Sequence, residues 1–288
     1  MTTKQLELMA VTVREDIINM LTEAGSGHSA GPLGMADIFV ALYFEILNHR
    51  PKQPDWADRD RFILSNGHTV PVRYATMARA GYFPIKELAT LRKLGSRLQG
   101  HPERVRLPGM ETTSGPLGSG LSQACGLALG SRLEGHKTRR IYCMMGDGEL
   151  DEGNIWEAAM LASRYHLSNL TAFVDRNNIQ IDGPTETVMP LENLVAKWEA
   201  FGWHVIEVDG HNFQEIIAAA GMARAIAEKP TVIICHTIPG KGVDFMEYDY
   251  RFHGYFAKVE GAPPPDEQAR LALHELRTLG GRIRSEHE

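Results

Sequence analysis

The chain has 288 residues, of which 43% are hydrophobic and 23% charged, the balance of an ordinary soluble globular protein. Its formal net charge of −6 offers no basic surface for nucleic acid. It contains no apolar run of about 18 residues that could span a membrane.

Lys4 to Leu21 carries Leu6, Met9, Val13, Ile17 and Met20 near one stripe, which predicts an amphipathic helix rather than a signal peptide. It ends in the turn Glu23-Ala24-Gly25-Ser26-Gly27-His28. Pro32 and Gly34 mark the start of a second helix over roughly Met35 to Leu47, and His49 to Asp60 reads as a surface loop. Arg61 to Leu64 is a short strand that delivers Ser65-Asn66-Gly67-His68, a second histidine turn. A helix from about Val70 to Ala80 follows, then a helical piece from Leu88 to Leu94. Gln99-Gly100-His101-Pro102-Glu103 is a third histidine turn. Thr112 to Gly120 is glycine-rich and opens a small-residue helix from about Leu121 to Leu133. Such a loop lets a flat ligand lie against backbone, and the helix start favours negative charge; close helix packing explains the small residues equally well.

Ile141 to Met145 is a continuous apolar run, the pattern of a buried parallel strand. It enters Gly146-Asp147-Gly148-Glu149-Leu150-Asp151-Glu152-Gly153-Asn154. Ile155 to Tyr165 has helical spacing, and Leu170 to Val174 is a second buried strand that ends at Asp175-Arg176-Asn177-Asn178-Ile179. Both polar clusters therefore sit at carboxyl ends of strands, where open α/β sheets bind ligands. Gly146 and Gly148 let backbone approach a ligand closely. Asp147 offers a carboxylate oxygen, Asn177 an amide oxygen, and the turn at Asn178-Ile179 a carbonyl. Such oxygens suit magnesium or calcium, and a magnesium ion with few protein ligands completes its shell with phosphate and water. Gly-Asp-Gly alone is a common strand-ending turn. Asp147 and Asn177, 30 residues apart with a helix and a strand between them, form a more specific pair.

Ile181 to Pro184 is a turn, Leu191 to Ala200 a helix and Trp203 to Val208 a strand. Asp209 or Asn212 caps a helix over Phe213 to Glu228, and His211 reads as structural. Thr231 to His236 is the last clear parallel strand; beyond it lie Lys241 and the fourth histidine turn, Arg251-Phe252-His253-Gly254. Lys241 either neutralises phosphate or is a solvated loop lysine. Cys125, Cys143 and Cys235 lie in apolar contexts without metal-ligand spacing, which predicts free buried thiols in a reducing cytoplasm. The alternation of strands and helices predicts one α/β domain over residues 1–260, doubly wound, with helices on both faces of a mostly parallel sheet. Residues 261–288 form a tail: Pro263-Pro264-Pro265 as a stiff spacer, then a helix over about Asp266 to Leu279 that packs on the domain or a partner.

From Glu23 to Gly254 the chain resembles transketolases. The segment Gly146 to Gly183 carries the resemblance, with the thiamine diphosphate motif of Asp147 and Asn177. The histidine turns and Gly115-Pro116-Leu117-Gly118 follow the same pattern in the same order, although Ser29-Ala30 stands where that pattern has Pro-Gly. A full transketolase continues into a pyrimidine-binding domain and a C-terminal domain, so the chain is similar to the N-terminal subunit of a split transketolase. The resemblance implies transfer of a two-carbon ketol unit from a ketose to an aldose. It implies thiamine diphosphate with Mg2+, replaceable by Ca2+ or Mn2+, and a partner chain supplying the missing domains in an α2β2 assembly. Carried over by position, Asp147, Asn177 and the Ile179 carbonyl bind the metal. His68, Gly115, Leu117, Gly148, Asn177 and His253 contact the cofactor. His28 and His101 face the sugar hydroxyls, and His253 also helps proton transfer. Glu152 is carried over as a catalytic and cofactor-binding residue at the subunit interface, near the activating glutamate of the partner; helix-start charge stabilisation is its other reading. Three alternatives stand beside this one: the α subunit of a 2-oxo acid dehydrogenase, a non-catalytic regulatory subunit, and a transketolase for an apiose-derived phosphate or a sulfonated ketose.

Overall fold

The computed structural model describes residues 1–136, 138–254 and 261–286. Helix α1 (Thr3–Ala24) starts at a capping box, in which the Thr2 hydroxyl accepts from Gln5 N–H and the Gln5 side chain accepts from Thr2 N–H. Its stripe of Leu6, Val13, Ile17 and Met20 is buried. A short helix that was not expected, α2 (Ala30–Gly34), comes next. The helix expected over Met35 to Leu47 is α3 (Ala36–Ala41), continued by a π-helical turn over Leu42–Ile46 and separated from α2 at Met35, whose ψ is 0°. Pro32 is tolerated in α2 because the first N–H groups of a helix have no partner to lose.

Strand β1 (Arg61–Leu64) and helix α4 (Val70–Ala80) stand as read. The helix expected over Leu88 to Leu94 is instead a 3-10 turn over Ile85–Thr90. Arg92 and Gly95 take φ of 60° and 80°, which no helix continues through. Then come α5 (Ser119–Leu133), β2 (Ile141–Gly146), α6 (Gly153–Arg164) and β3 (Leu170–Arg176). A hairpin of β4 (Ile179–Gln180) and β5 (Gly183–Pro184) encloses a turn at Ile181. After α7 (Thr185–Val188), α8 (Leu194–Ala200) begins later than Leu191, where the Asn193 side chain accepts from Ala196 N–H. The chain continues through β6 (His204–Asp209), α9 (Phe213–Ala225) capped by Asn212, β7 (Thr231–His236) and α10 (Pro265–Glu286).

The main sheet is parallel throughout, in the order β1-β2-β3-β7-β6. Its register explains the continuous apolar runs. Leu64, Met144, Phe173 and Ile233 lie side by side across four strands and face α1, α3, α4 and α9. Their sequence neighbours Ile63, Cys143, Ala172 and Val232 form the adjacent row and face α5, α6 and α8. Both faces are covered, so successive residues of a strand are apolar rather than alternating. The chain leaves β1 toward the first face through α4 and leaves β2 toward the second through α6. This divergence opens a crevice at the carboxyl ends of the two strands.

Helix α10 packs on α1, burying Ala272 and Leu276, with Arg277 3.5 Å from Glu15. The boundary expected at residue 260 lies outside the described residues. Cys125, Cys143 and Cys235 are free and buried. Among the described residues, no helix is long and apolar enough to cross a membrane.

Candidate active site

The crevice holds a cavity of about 330 Å³ whose lining includes His28, His68, Asp147, Asn177, Ile179 and His253. His28 arrives on the turn between α1 and α2, His68 on the exit of β1, and His253 on a 3-10 turn after β7. Ring centroids are 4.9 Å apart for His28–His68, 5.6 Å for His28–His253 and 5.1 Å for His68–His253. His101 stands 6.5 Å from His28 and lines a second cleft of about 540 Å³ together with Arg92. The Ser29 hydroxyl shares its proton between the carbonyls of Phe252 and Gly254, 3.0 Å from each. The residue that departs from the family pattern thus ties the His28 turn to the His253 turn.

Burial disfavours the charged form of all four imidazoles, and at His28 and His68 the neighbouring imidazoles add to it. Burial, followed by His253, His101 and Arg92, lowers His28 to about 4. Burial, His253, His28 and His101 hold His68 well below the usual histidine value. His101 is lowered by burial and Arg92, and His253 by burial. The cluster is therefore neutral near pH 7, and its unprotonated ring nitrogens can accept hydrogen bonds. Among the described residues, the buried Nδ1 of His28 and the Oδ1 of Asn66 have no hydrogen-bond partner. Buried polar atoms rarely stand alone, so both fit a ligand with polar groups in the cavity.

The oxygen donors line the same cavity. Asp147, 1% exposed, accepts from the N–H of Gly148 at Oδ1 and from the N–H of Asn178 at Oδ2. Asn177 Oδ1 accepts from Ile179 N–H at 3.0 Å, which holds the Asn177 side chain against Ile179. Among the described residues no group of three His, Cys, Asp or Glu side chains forms a metal cluster. One carboxylate, one amide oxygen and one carbonyl nevertheless suit a hard cation that shares its shell with phosphate. Gly148 keeps the floor open: a Cβ there would stand 2.8 Å from Gln180 Cγ. The donors and the space both fit thiamine diphosphate with a divalent ion.

Gly115 and Leu117 line this cavity as well. Glu152 does not; it is exposed at the start of α6, its Cβ beside Gly118. Lys241 is 3.9 Å from Glu247 and away from the cavity lining. His211 has a structural part. Its Nε2 accepts from Ile238 N–H at 2.9 Å, so Nδ1 carries the proton and donates to Asp37 at 2.7 Å, and Asp37 in turn pairs with buried Arg14.

Two carboxylates escaped the sequence reading. Glu149, 3% exposed, accepts from the Ser65 hydroxyl and from Gly118 N–H (2.7 Å) and Gly146 N–H (3.1 Å), joining three of the loops around the cavity. Burial pushes it upward. Asp175 lines the cavity and accepts from Thr237 and Asn177; burial raises it to about 7. The one available signal for Asp175 is its place at the end of an apolar run.

The family description "Transketolase, thiamine diphosphate binding domain" matches residues 6–262. The chain is similar to a 6-deoxy-6-sulfo-D-fructose transketolase subunit of Clostridium sp. (strain MSTE9), 44% identical over 249 residues that cover 86% of this chain and 90% of that one. It is similar to one subunit of an apulose-4-phosphate transketolase of Phocaeicola vulgatus, 40% identical over 276 residues that cover 96% of this chain and 95% of that one. Among solved structures it matches a transketolase from Leishmania mexicana with a TM-score of 0.83 and 32% identity, over 99% of this chain and 46% of the larger one.

Proposed function

Because this chain belongs to the transketolase family, we propose that it is the N-terminal subunit of a two-chain transketolase. It transfers a two-carbon ketol unit from a ketose to an aldose. Residues 1–260 form the pyrophosphate-binding domain and 261–288 its C-terminal tail. The partner carries the pyrimidine-binding and C-terminal domains, in an α2β2 assembly in the cytoplasm. The observation that carries this reading is the convergence of His28, His68 and His253 on one cavity that Asp147 and Asn177 also line.

Asp147, Asn177 and the Ile179 carbonyl would hold the divalent cation, Mg2+ first. His68, Gly148 and His253 would hold the diphosphate, and Gly115 and Leu117 would border the rest of the cofactor. Thiamine diphosphate supplies, when bound, the nucleophilic carbon and the electron sink for carbon–carbon cleavage. The protein's part is proton handling and position. Among the described residues His28 Nδ1 has no partner, and its ring is neutral near pH 7, so it can accept a hydrogen bond from a sugar hydroxyl and orient it. His101 serves the same hydroxyls, and His253 assists proton transfer. Glu152 reaches the partner chain rather than the cavity floor. The similarity to subunits named for a sulfonated ketose and for apulose-4-phosphate favours a donor outside the common pentose phosphates.

The test is a donor panel assayed on the chain with its partner: pentose phosphates, a sulfonated ketose, an apiose-derived phosphate and a 2-oxo acid. Ketose consumption that falls by about 10²–10⁴ in His28→Ala or His101→Ala supports the reading. Decarboxylation of the 2-oxo acid alone would place the chain with the dehydrogenase α subunits. Full activity in both variants would leave a non-catalytic role.

A further inference from the structure

Arg176 is 3% exposed at the end of β3 and does not line the cavity. Its guanidinium bridges inside and outside: one nitrogen donates to Asp147 Oδ2 at 3.1 Å, and the other to Glu186 at 2.6 Å and Glu192 at 2.9 Å. Asp147 Oδ2 also accepts from Asn178 N–H at 2.7 Å and, at longer range, from the Thr185 hydroxyl at 3.4 Å. Asp147 Oδ1 accepts from Gly148 N–H alone, at 2.8 Å. A carboxylate oxygen has about two lone-pair sites, so Oδ2 is saturated and Oδ1 keeps one.

We propose that Arg176 is a positioning residue that makes Asp147 a one-oxygen ligand and thereby sets the site's preference for Mg2+ over Ca2+. The inference rests on Asp147 being a cation ligand, as proposed above. Ca2+ takes more oxygens and readily uses both oxygens of a carboxylate, whereas Mg2+ is smaller and is commonly met by single carboxylate oxygens and water. A guanidinium fixed on Oδ2 removes the two-oxygen option. The fork is itself held from the far side by Glu186 and Glu192, on α7 and the segment after it, so the carboxylate has little freedom to turn.

The experiment is competition of Mg2+ and Ca2+ against Mn2+, read by the paramagnetic signal of free Mn2+, on the full chain assembled with its partner and thiamine diphosphate. Arg176→Met is compared with the wild type. Removing such a support changes metal affinity by about 10–100-fold, and the account requires the Ca2+ to Mg2+ affinity ratio to rise by about tenfold. A change of charge alone would shift both cations by the same factor and leave the ratio unchanged, which overturns the proposal. Arg176→Lys keeps the buried charge but not the planar fork, so it moves the ratio the same way and serves if Arg176→Met does not fold. Asp147→Asn separates the two levels. If it binds Mn2+ as the wild type does, or if neither binds, the ligand assignment fails and the proposal falls with it. If Asp147→Asn alone loses binding while both Arg176 variants keep the wild-type ratio, only the role of Arg176 fails.

Discussion

Glu149→Ala removes a buried acceptor that serves three donors: the Ser65 hydroxyl, Gly118 N–H and Gly146 N–H. An unpaired buried donor costs about 1–3 kcal/mol. The low end applies here, because burial already disfavours the Glu149 carboxylate and its removal relieves that. Three donors then cost about 3 kcal/mol. For a chain of this size 1 kcal/mol lowers Tm by about 2 °C, so Glu149→Ala should melt about 6 °C below the wild type. Glu149→Gln keeps an oxygen for Ser65 and Gly118, which share Oε1, and turns an NH2 group onto Gly146 N–H. Its loss should be about 1–2 kcal/mol, or about 2–4 °C. Thermal unfolding by circular dichroism gives the order directly. Glu149→Ala melting with the wild type would refute the claim that this carboxylate holds the cavity loops together.

The histidine cluster gives a pH dependence. The folded-state value of His28 is about 4 against an ordinary 6.5, so the unfolded chain binds more protons between those values. Stability therefore falls as pH drops through that window, and His28→Gln should flatten the fall; parallel urea-midpoint curves for the two proteins would contradict this. Gly148→Ala places a Cβ 2.8 Å from Gln180 Cγ on the cavity floor. Overpacking of about 1–3 kcal/mol should lower Tm by about 2–6 °C, and a loop displaced at the cavity should weaken thiamine diphosphate binding by about tenfold; thermal unfolding and calorimetric titration check the two. Unchanged affinity would mean that the cofactor does not approach this backbone.

The strands were readable because they are buried on both faces. Ile141 to Met145 and Leu170 to Val174 carry apolar residues without interruption, and few other structures demand that. Their order in the sheet was not readable, because β3 pairs with β7 across a long stretch of chain that holds α7, α8, β6 and α9. The hairpin at Ile179 and Gly183 escaped because strands of two residues have no period to detect. The helix placed at Leu88 failed because its apolar spacing says nothing of the positive φ at Arg92. In the site, His28, His68, His101 and His253 could be listed from their turns, but their convergence depends on the crevice between β1 and β2. Glu149 and Arg176 sit in runs of charged residues that look solvated. Their partners lie outside those runs: Gly118, 31 residues away, for Glu149, and Glu186 and Glu192, 10 and 16 residues on, for Arg176.

The central claim is that this chain holds half of a transketolase site and that a second polypeptide completes it. The direct measurement is two-carbon transfer by this chain alone, by the candidate partner alone, and by the mixture, each with and without thiamine diphosphate and Mg2+. The account predicts transfer in the supplemented mixture only. Turnover by this chain in isolation would contradict it.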